Sequence, residues 1–479
     1  MVTTEQAPPS GQLFKVEQRG IDYIPEAERW ARPRDMFGLW AGTSVQFEYF
    51  VYGAVLMTFG FTFYQGLAII LIGNVSYLLL GICSLQAPDA GTTAFMITRA
   101  SFGTQGSRLL ALFNWLTQVG FEIEGLTLIV LAAVALSAKS GFHAGTPAKV
   151  VFILAAAAIQ GVLPFLGHAT VVKVLRALII PSLVIYAVLA GLTAHRVQVH
   201  HVHHGASWQV FMAGLAFSIT LSGLGWVQSG NDFSRYLPAS SSKKAVVGWI
   251  FLGTAVPQVL IMTLGAAVAT YVTIDGGNPF ASFPGAFAGW FLWPFLIVAL
   301  LQLFAINSLD LYSSGVTLQA LGLPVKRWMA VLIDTFIAGG VTFYAVFSSS
   351  FATLLADFAA SVVAWIAPWM AIFLMDWALR GWRYAPDELQ RTDRGGLYWY
   401  RGGVNWAAII SQALGTTASI LAFSQNFFTG PIASATGGAD FSVYTGIFVG
   451  GLSYLILAGP AIRRQRVEQD QLLAAPVAA

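Results

Sequence analysis

The 479 residues are 56% hydrophobic and only 10% charged, with a formal net charge of +3. A soluble domain carries about 25% charged residues. Such a chain cannot solvate its own surface in water, so the expected solvent is lipid, where the backbone must be helical or part of a closed barrel. The apolar runs are long and do not alternate, which predicts helices of about 20 residues each.

In chain order, residues 1–36 form a polar segment that lacks the apolar core of a secretory signal and is expected in the cytoplasm. Twelve spans follow, at about 37–60, 64–87, 108–138, 147–167, 169–193, 207–234, 245–273, 290–319, 328–347, 350–379, 404–424 and 441–461. Spans 1–5 (37–193) and spans 6–10 (207–379) read as two repeats. A loop at 380–403 is followed by spans 11 and 12 (404–461) and a cytoplasmic tail at 462–479. With the N-terminus inside, 22 of the 25 Lys and Arg fall on inside segments, and only Lys139, Lys149 and Arg196 lie outside. The positive-inside rule therefore places both termini in the cytoplasm of an inner or plasma membrane protein. The single cysteine, Cys83, excludes an intrachain disulfide. The 380–403 loop carries "GGLYWYRGG", whose rings read as anchors at the headgroup level.

Spans 1 and 6 read as broken. Span 1 contains "WAGTSVQFEYF", and span 6 contains "LSGLGWVQSGNDFSRY". Small and polar residues in mid-span favour local unwinding, which lipid tolerates only where the backbone lines a cavity. Paired interruptions at equivalent places in two halves point to an inverted-repeat transporter with a midplane site. The alternative is that the glycines only permit close helix packing.

Several stretches carry a family resemblance: "IDYIPEAERWARPRDMFGLWAG", "GHATVVKVLRALIIPSLVIY", "NDFSRYLP", "SKKAVVGWIFLGTAVPQVLIMTLGA", "INSLDLYSSGVTLQALGL", "APWMAIFLMDWALRGWRY" and "GGLYWYRGGVNWAA". Together they resemble the purine–cytosine permease branch of the nucleobase–cation symporters, over residues 20–462. The resemblance implies an all-α integral membrane protein of twelve helices. Ten form a five-plus-five inverted repeat of the leucine-transporter type, in the amino acid–polyamine–organocation superfamily, and two follow at the C-terminus. It implies a symporter that imports a nucleobase or related N-heterocycle (cytosine, purine, hydantoin or allantoin class) by alternating access, coupled to a cation.

In such a fold the ligand lies between spans 1, 3, 6 and 8. A flat heterocycle needs aromatic faces and a few edge-reading polar groups. Span 1 offers Gln46, which the resemblance implies as a ligand; the alternative is a bond to unwound backbone. On span 3, Asn114, Gln118, Phe121, Gly125 and Leu128 share one face about 80° wide. Phe121 stands where relatives carry a stacking tryptophan, and Gly125 where they carry an amide reader. Span 6 offers Trp226, as a stacking or a packing ring, and Gln228. On span 8, relatives read Asn-Asn-Ile-Pro-Asn at 306–310; here Asn307 is retained, Ile306 and Leu309 replace an Asn and the Pro, and Asp310 introduces an acid. Leu175 replaces a glutamate of fungal relatives. These departures put cytosine or purine itself in doubt.

Sodium-coupled relatives hold the ion with span 1 carbonyls, here Gly42 and Val45, and two hydroxyls on span 8. The equivalent positions are Ala305 and Ile306, which bring no side-chain oxygen. A proton needs only a buried carboxyl, and Glu48, Glu122, Glu124 and Asp310 are candidates; proton coupling is favoured over sodium. A carboxylate in mid-helix costs about 2.5–3.5 kcal/mol on the insertion scale. Glu122 and Glu124 lie about 200° apart on their helix, so Glu122 is expected to touch the pocket in place of the missing reader, and Glu124 to bond a neighbouring helix. Asp334 and Asp357 are expected to be structural, Asp232 and Arg235 a local pair or cap, and Asp376 and Arg380 an ordinary i, i+4 helix-end pair. Five histidines in "HRVQVHHVHH", residues 195–204, read as a solvated outer loop rather than a zinc, nickel or pH-sensing site. No cofactor, metal or nucleic-acid partner is expected, and a monomer is. The alternatives to a transporter are a heterocycle-binding receptor or a membrane enzyme, but no nucleophile–base pair or metal set supports the latter.

Overall fold

The computed structural model describes residues 21–162, 168–199, 205–322, 327–347, 350–425 and 427–474. Each of the twelve expected spans coincides with a helix or a broken helix. Span 1 is two helices, Asp35–Ser44 and Phe47–Met57. Span 2 runs through Phe63–Asn74 and Tyr77–Cys83. Spans 3, 4 and 5 are Gly106–Lys139, Thr146–Val162 and His168–Ala194. Span 6 is Trp208–Ile219, a π-turn at Thr220–Leu224, and Gly230–Ser234. Spans 7 to 10 are Lys243–Ala269, Gly289–Ala320, Arg327–Phe347 and Phe351–Leu379. Spans 11 and 12 are Trp406–Leu421 and Ser442–Leu457. Seven helices among the described residues are long and apolar enough to cross a bilayer unaided. Two of the shorter ones, Phe47–Met57 and Trp208–Leu224, are short because their spans are interrupted.

The packing has a two-fold pattern. Span 7 packs on both halves of span 1 and on span 2, and span 6 packs on span 2. Span 8 lies along span 3, and span 9 contacts spans 3, 4 and 8. Spans 1, 2, 6 and 7 thus form one bundle, and spans 3, 4, 8 and 9 the other. Apolar packing in lipid rewards close backbone approach. Gly53 and Gly265 show why: a Cβ on Gly53 would sit 1.9 Å from Met262 O, and one on Gly265 would sit 2.0 Å from Phe50 O.

The buried apolar residues divide into two clusters. In span 1, Met36 and Trp40 belong to one, and Val45 and Phe47 to the other. In span 3 the division falls between Leu110 and Ala111 on one side and Leu126 and Leu128 on the other. Asn114, Thr117, Gln118, Glu122 and Glu124 lie between, all buried. A polar seam therefore crosses the protein at the depth of the helix breaks.

Two expectations about the chain-terminal end need correction. Asp376 and Arg380 are not an ordinary helix-end pair: both side chains are fully buried, with Arg380 Nε 2.9 Å from Asp376 Oδ2. Tyr454 Oη donates to Asp376 Oδ1 at 2.7 Å, and Arg380 Nη2 donates to Tyr400 Oη at 2.7 Å and to Gln465 Oε1 at 3.0 Å. The "GGLYWYRGG" loop is likewise not a set of headgroup anchors. Tyr398 is buried, donates to Gln469 Oε1 at 3.0 Å and accepts from the Ala385 backbone at 3.0 Å. The tail packs on the same loop. Span 12 ends at Leu457 and the chain bends by 66° into a helix, Gly459–Ala474, whose Gln465 and Gln469 bind this loop. Breaking a buried ion pair costs about 3–5 kcal/mol. Asp376→Asn should therefore lower the melting temperature of the purified protein sharply, whereas Glu468→Gln, on the exposed face of the last helix, should leave it unchanged.

Candidate functional site

Unwinding frees peptide groups that lipid cannot satisfy, each costing several kcal/mol if left bare. At the span 1 break, Val45 (φ −86°, ψ 73°) and Gln46 (φ −143°, ψ 165°) leave the helix. Gln46 Nε2 donates to Thr43 O, and Gln302 Nε2 of span 8 donates to Val45 O at 2.5 Å. At the span 6 break the non-helical residue is Ser222 (φ −111°, ψ −127°). There Gln228 Nε2 donates to Gly225 O at 2.6 Å, Gln258 Nε2 to Leu221 O at 3.3 Å, and the Gly223 backbone N–H to Ser76 Oγ at 2.9 Å. Four glutamine amides hold the two interruptions.

A small cavity opens where the breaks face each other, lined by Glu48, Tyr49, Tyr52, Phe121, Thr220, Leu221, Gly225, Trp226 and Asp310. Its free volume is about 20 Å³, enough for about one water. Ligand pockets typically span about 300–1,000 Å³, so ring side chains or helix halves must move before a heterocycle enters. A wider groove of about 550 Å³ lies at Gly381, Arg383, Arg466 and Asp470, far from the breaks and open to the outside.

Of the residues singled out in the sequence, Glu48, Phe121, Trp226 and Asp310 share the cavity. Trp226 Nε1 donates to Tyr49 Oη at 3.2 Å, and its ring meets Trp40 edge-on at 5.9 Å. Phe121 meets Phe358 edge-on at 4.9 Å. Tyr49 Oη lies 3.4 Å from Tyr77 Oη, Tyr77 donates to Gln258 Oε1, and Gln258 Nε2 donates to Ser222 Oγ at 2.8 Å. This chain of polar groups ties the cavity wall to the span 6 break.

The other candidates lie outside the cavity lining. Gln46 and Gln228 are engaged through their nitrogens with local carbonyls, and each leaves Oε1 without a partner. Gln118 is buried in the seam, and Gly42 is buried on the helix before the break. Gly125 is no empty reader position: a Cβ there would sit 2.0 Å from Asn307 Oδ1. Asn307 occupies that space and donates to Glu122 O at 3.2 Å and Gln160 Oε1 at 2.9 Å, turned between spans 3 and 4.

Neither Glu122 nor Glu124 lines the cavity, and Glu124 lies against a neighbouring helix as the sequence suggests. Glu122 is fully buried, its carboxylate oxygens lack partners, and its acidic neighbours are Asp334 and Asp310. Glu124 lies against Tyr52 and Glu48, behind the cavity wall. Packing decides this: the Glu124 face meets span 1, and the Glu122 face meets spans 8 and 9. Asp334 accepts from Trp115 Nε1 at 2.9 Å and from Ser314 Oγ, in keeping with a structural role. Asp232 accepts from the Ala94 backbone at 3.1 Å, capping a neighbouring helix. His195 is exposed, and His200, His201, His203 and His204 lie outside the described residues. Sequence reading missed Tyr49, Tyr52 and Gln302. Tyr52 stands one turn after Glu48, and Gln302 is a lone amide in the apolar run "VALLQLFAI"; both were legible signals.

Broken helices facing a midplane cavity within a two-fold bundle define a multi-pass membrane transporter. The family model described as "Permease for cytosine/purines, uracil, thiamine, allantoin" matches residues 23–450, and the chain belongs to this family. YxlA of Bacillus subtilis (strain 168), which carries a provisional purine-cytosine permease name, is 26% identical, with 96% of this chain and 99% of that protein covered. The purine-cytosine permease fcyB of Emericella nidulans is 25% identical, with 93% and 88% covered. The fold is that of Mhp1, a nucleobase-cation-symport-1 family transporter solved in a closed conformation with bromovinylhydantoin bound, at a TM-score of 0.73 and 17% identity over 95% of this chain and 99% of that one.

Gly125→Ala should displace the Asn307 carboxamide and lower the melting temperature, by the order of 1–3 kcal/mol typical of overpacking. Adding Asn307→Ala should recover most of that loss in a double-mutant cycle. Simple additivity of the two substitutions would refute the contact.

Proposed function

We propose that this permease imports a small planar N-heterocycle by alternating access, coupled to protons, as a monomer in the cytoplasmic membrane with both termini inside. The observation that carries the reading is the cavity between the two breaks, where Glu48 and Asp310 meet the rings of Phe121 and Trp226. Aromatic faces suit a flat ring, and a few buried polar groups suit its edge. Cytosine, purines, uracil, hydantoin, thiamine and allantoin are the compounds to test. The small size of the cavity fits a closed state, which alternating access requires between its two open forms.

Proton coupling rests on what surrounds the span 1 carbonyls. A sodium ion needs several free oxygen ligands. Here Val45 O accepts an amide N–H from Gln302, which also donates to Ser182 Oγ at 2.5 Å and accepts from Tyr186 Oη at 2.9 Å. An N–H donor repels a cation, and Ala305 and Ile306 add no side-chain oxygen. Gln302 thus bridges spans 1, 5 and 8, a bridge that a bound cation would otherwise make. Glu48, Glu122 and Asp310 remain to carry the proton. In proteoliposomes, uptake of a labelled heterocycle at fixed pH should be unchanged when potassium replaces sodium, and should stop when a protonophore collapses an imposed pH gradient. Collapse of uptake on sodium removal would overturn this coupling.

A further inference from the structure

The cavity holds two acidic side chains and no basic one, and that imbalance selects among heterocycles. Glu48 and Asp310 both line it, 8% and 6% exposed, and no described side chain donates a hydrogen bond to either carboxylate. Glu124, 6% exposed, stands behind Tyr52, whose hydroxyl faces its carboxylate, in the field of both. No Lys, Arg or His lines the cavity, and span 8 carries none from Gly289 to Ala320. Of the lining donors, Thr220 Oγ1 donates to Ala216 O at 2.7 Å and Trp226 Nε1 to Tyr49 Oη at 3.2 Å, and the Tyr49 and Tyr52 hydroxyls are further donors on the wall.

A neutral nucleobase presents carbonyl oxygens beside its N–H groups. Where those oxygens face Glu48 or Asp310 in the ionised form, acceptor meets acceptor, and a buried acceptor without a donor costs about 1–3 kcal/mol. Buried carboxylates in apolar surroundings must themselves be neutralised, by a proton or by a cation. Four aromatic side chains, Tyr49, Tyr52, Phe121 and Trp226, complete the wall, and ring faces attract a desolvated cation by about 2 kcal/mol.

We propose that Glu48 and Asp310 select a positively charged, N–H-rich or quaternised planar heterocycle in preference to a neutral nucleobase. The proposal rests on the reading of this cavity as the substrate site. Glu48 and Asp310 pair with the ligand's charge, the aromatic rings flank it, and Glu124 adds to the field through Tyr52.

Matched probes test it on the purified full-length protein. 4-Aminopyridine is a cation at pH 7, and 4-pyridone is its neutral counterpart of the same shape; thiamine carries a fixed charge, and cytosine is neutral. Ligand-induced fluorescence change, checked by thermal shift, gives the affinities. The cations should bind at least about tenfold tighter than the neutral rings, a difference of about 1.4 kcal/mol. Glu48→Gln and Asp310→Asn should each remove most of that preference, read as the ratio of cation to neutral-ring affinity. A melting temperature of each ligand-free variant close to that of the unsubstituted protein shows that the variants fold. Neutral rings binding as tightly as the cations, with no effect of either substitution on the ratio, would overturn the charge selection and leave the heterocycle permease reading standing. Absence of binding by every probe, charged or neutral, would overturn both.

Discussion

Everything at the centre of this protein depends on two helices that stop hydrogen-bonding to themselves inside the bilayer. A continuous helix hides its peptide groups; a broken one exposes them where no water can answer. The chain meets that demand with side-chain amides. Gln46 and Gln302 serve the first break, and Gln228 and Gln258 the second. Because Gln302 belongs to span 8 and Gln258 to span 7, the breaks are tied to neighbouring helices. The interruptions stay open as a defined cavity wall instead of collapsing into regular helix.

The second constraint is electrostatic. Glu48, Glu124 and Asp310 sit in one compartment with no basic side chain among the cavity residues. Such a compartment is stable only when charge arrives from outside, so the acids link occupancy by a proton or a cation to the packing of spans 1, 3 and 8. Coupling and selectivity then share one physical origin. The Asp376–Arg380 pair shows the contrasting case: a buried acid whose counter-charge is built in and whose surroundings are saturated with tyrosine hydroxyls.

The helices were legible in the sequence because long apolar runs in lipid have one solution, and the breaks because small and polar residues cluster at matching places in two halves. The cavity was legible in part. Phe121, Trp226, Glu48 and Asp310 announced themselves as aromatic or acidic residues on spans that had to face one another. The side of span 3 that faces span 1 could not be read from helix angles alone, so the pocket contact expected of Glu122 is absent from the cavity lining. Gly125 looked like a missing reader because a sequence does not show that Asn307 reaches across to fill its space. The amides at 46 and 228 looked like ligands because the need of the broken backbone for donors appears only once its geometry is known.

The central claim is that a heterocycle binds at the junction of the two breaks, against the acids of spans 1 and 8. The most direct measurement is a cryo-electron microscopy map of the protein saturated with a heterocycle that it transports. The ring should lie between Phe121 and Trp226, with an edge atom about 2.7–3.2 Å from a carboxylate oxygen of Glu48 or Asp310. Ring density elsewhere, such as beside Glu122 and Asp334 between spans 3, 8 and 9, would contradict the account.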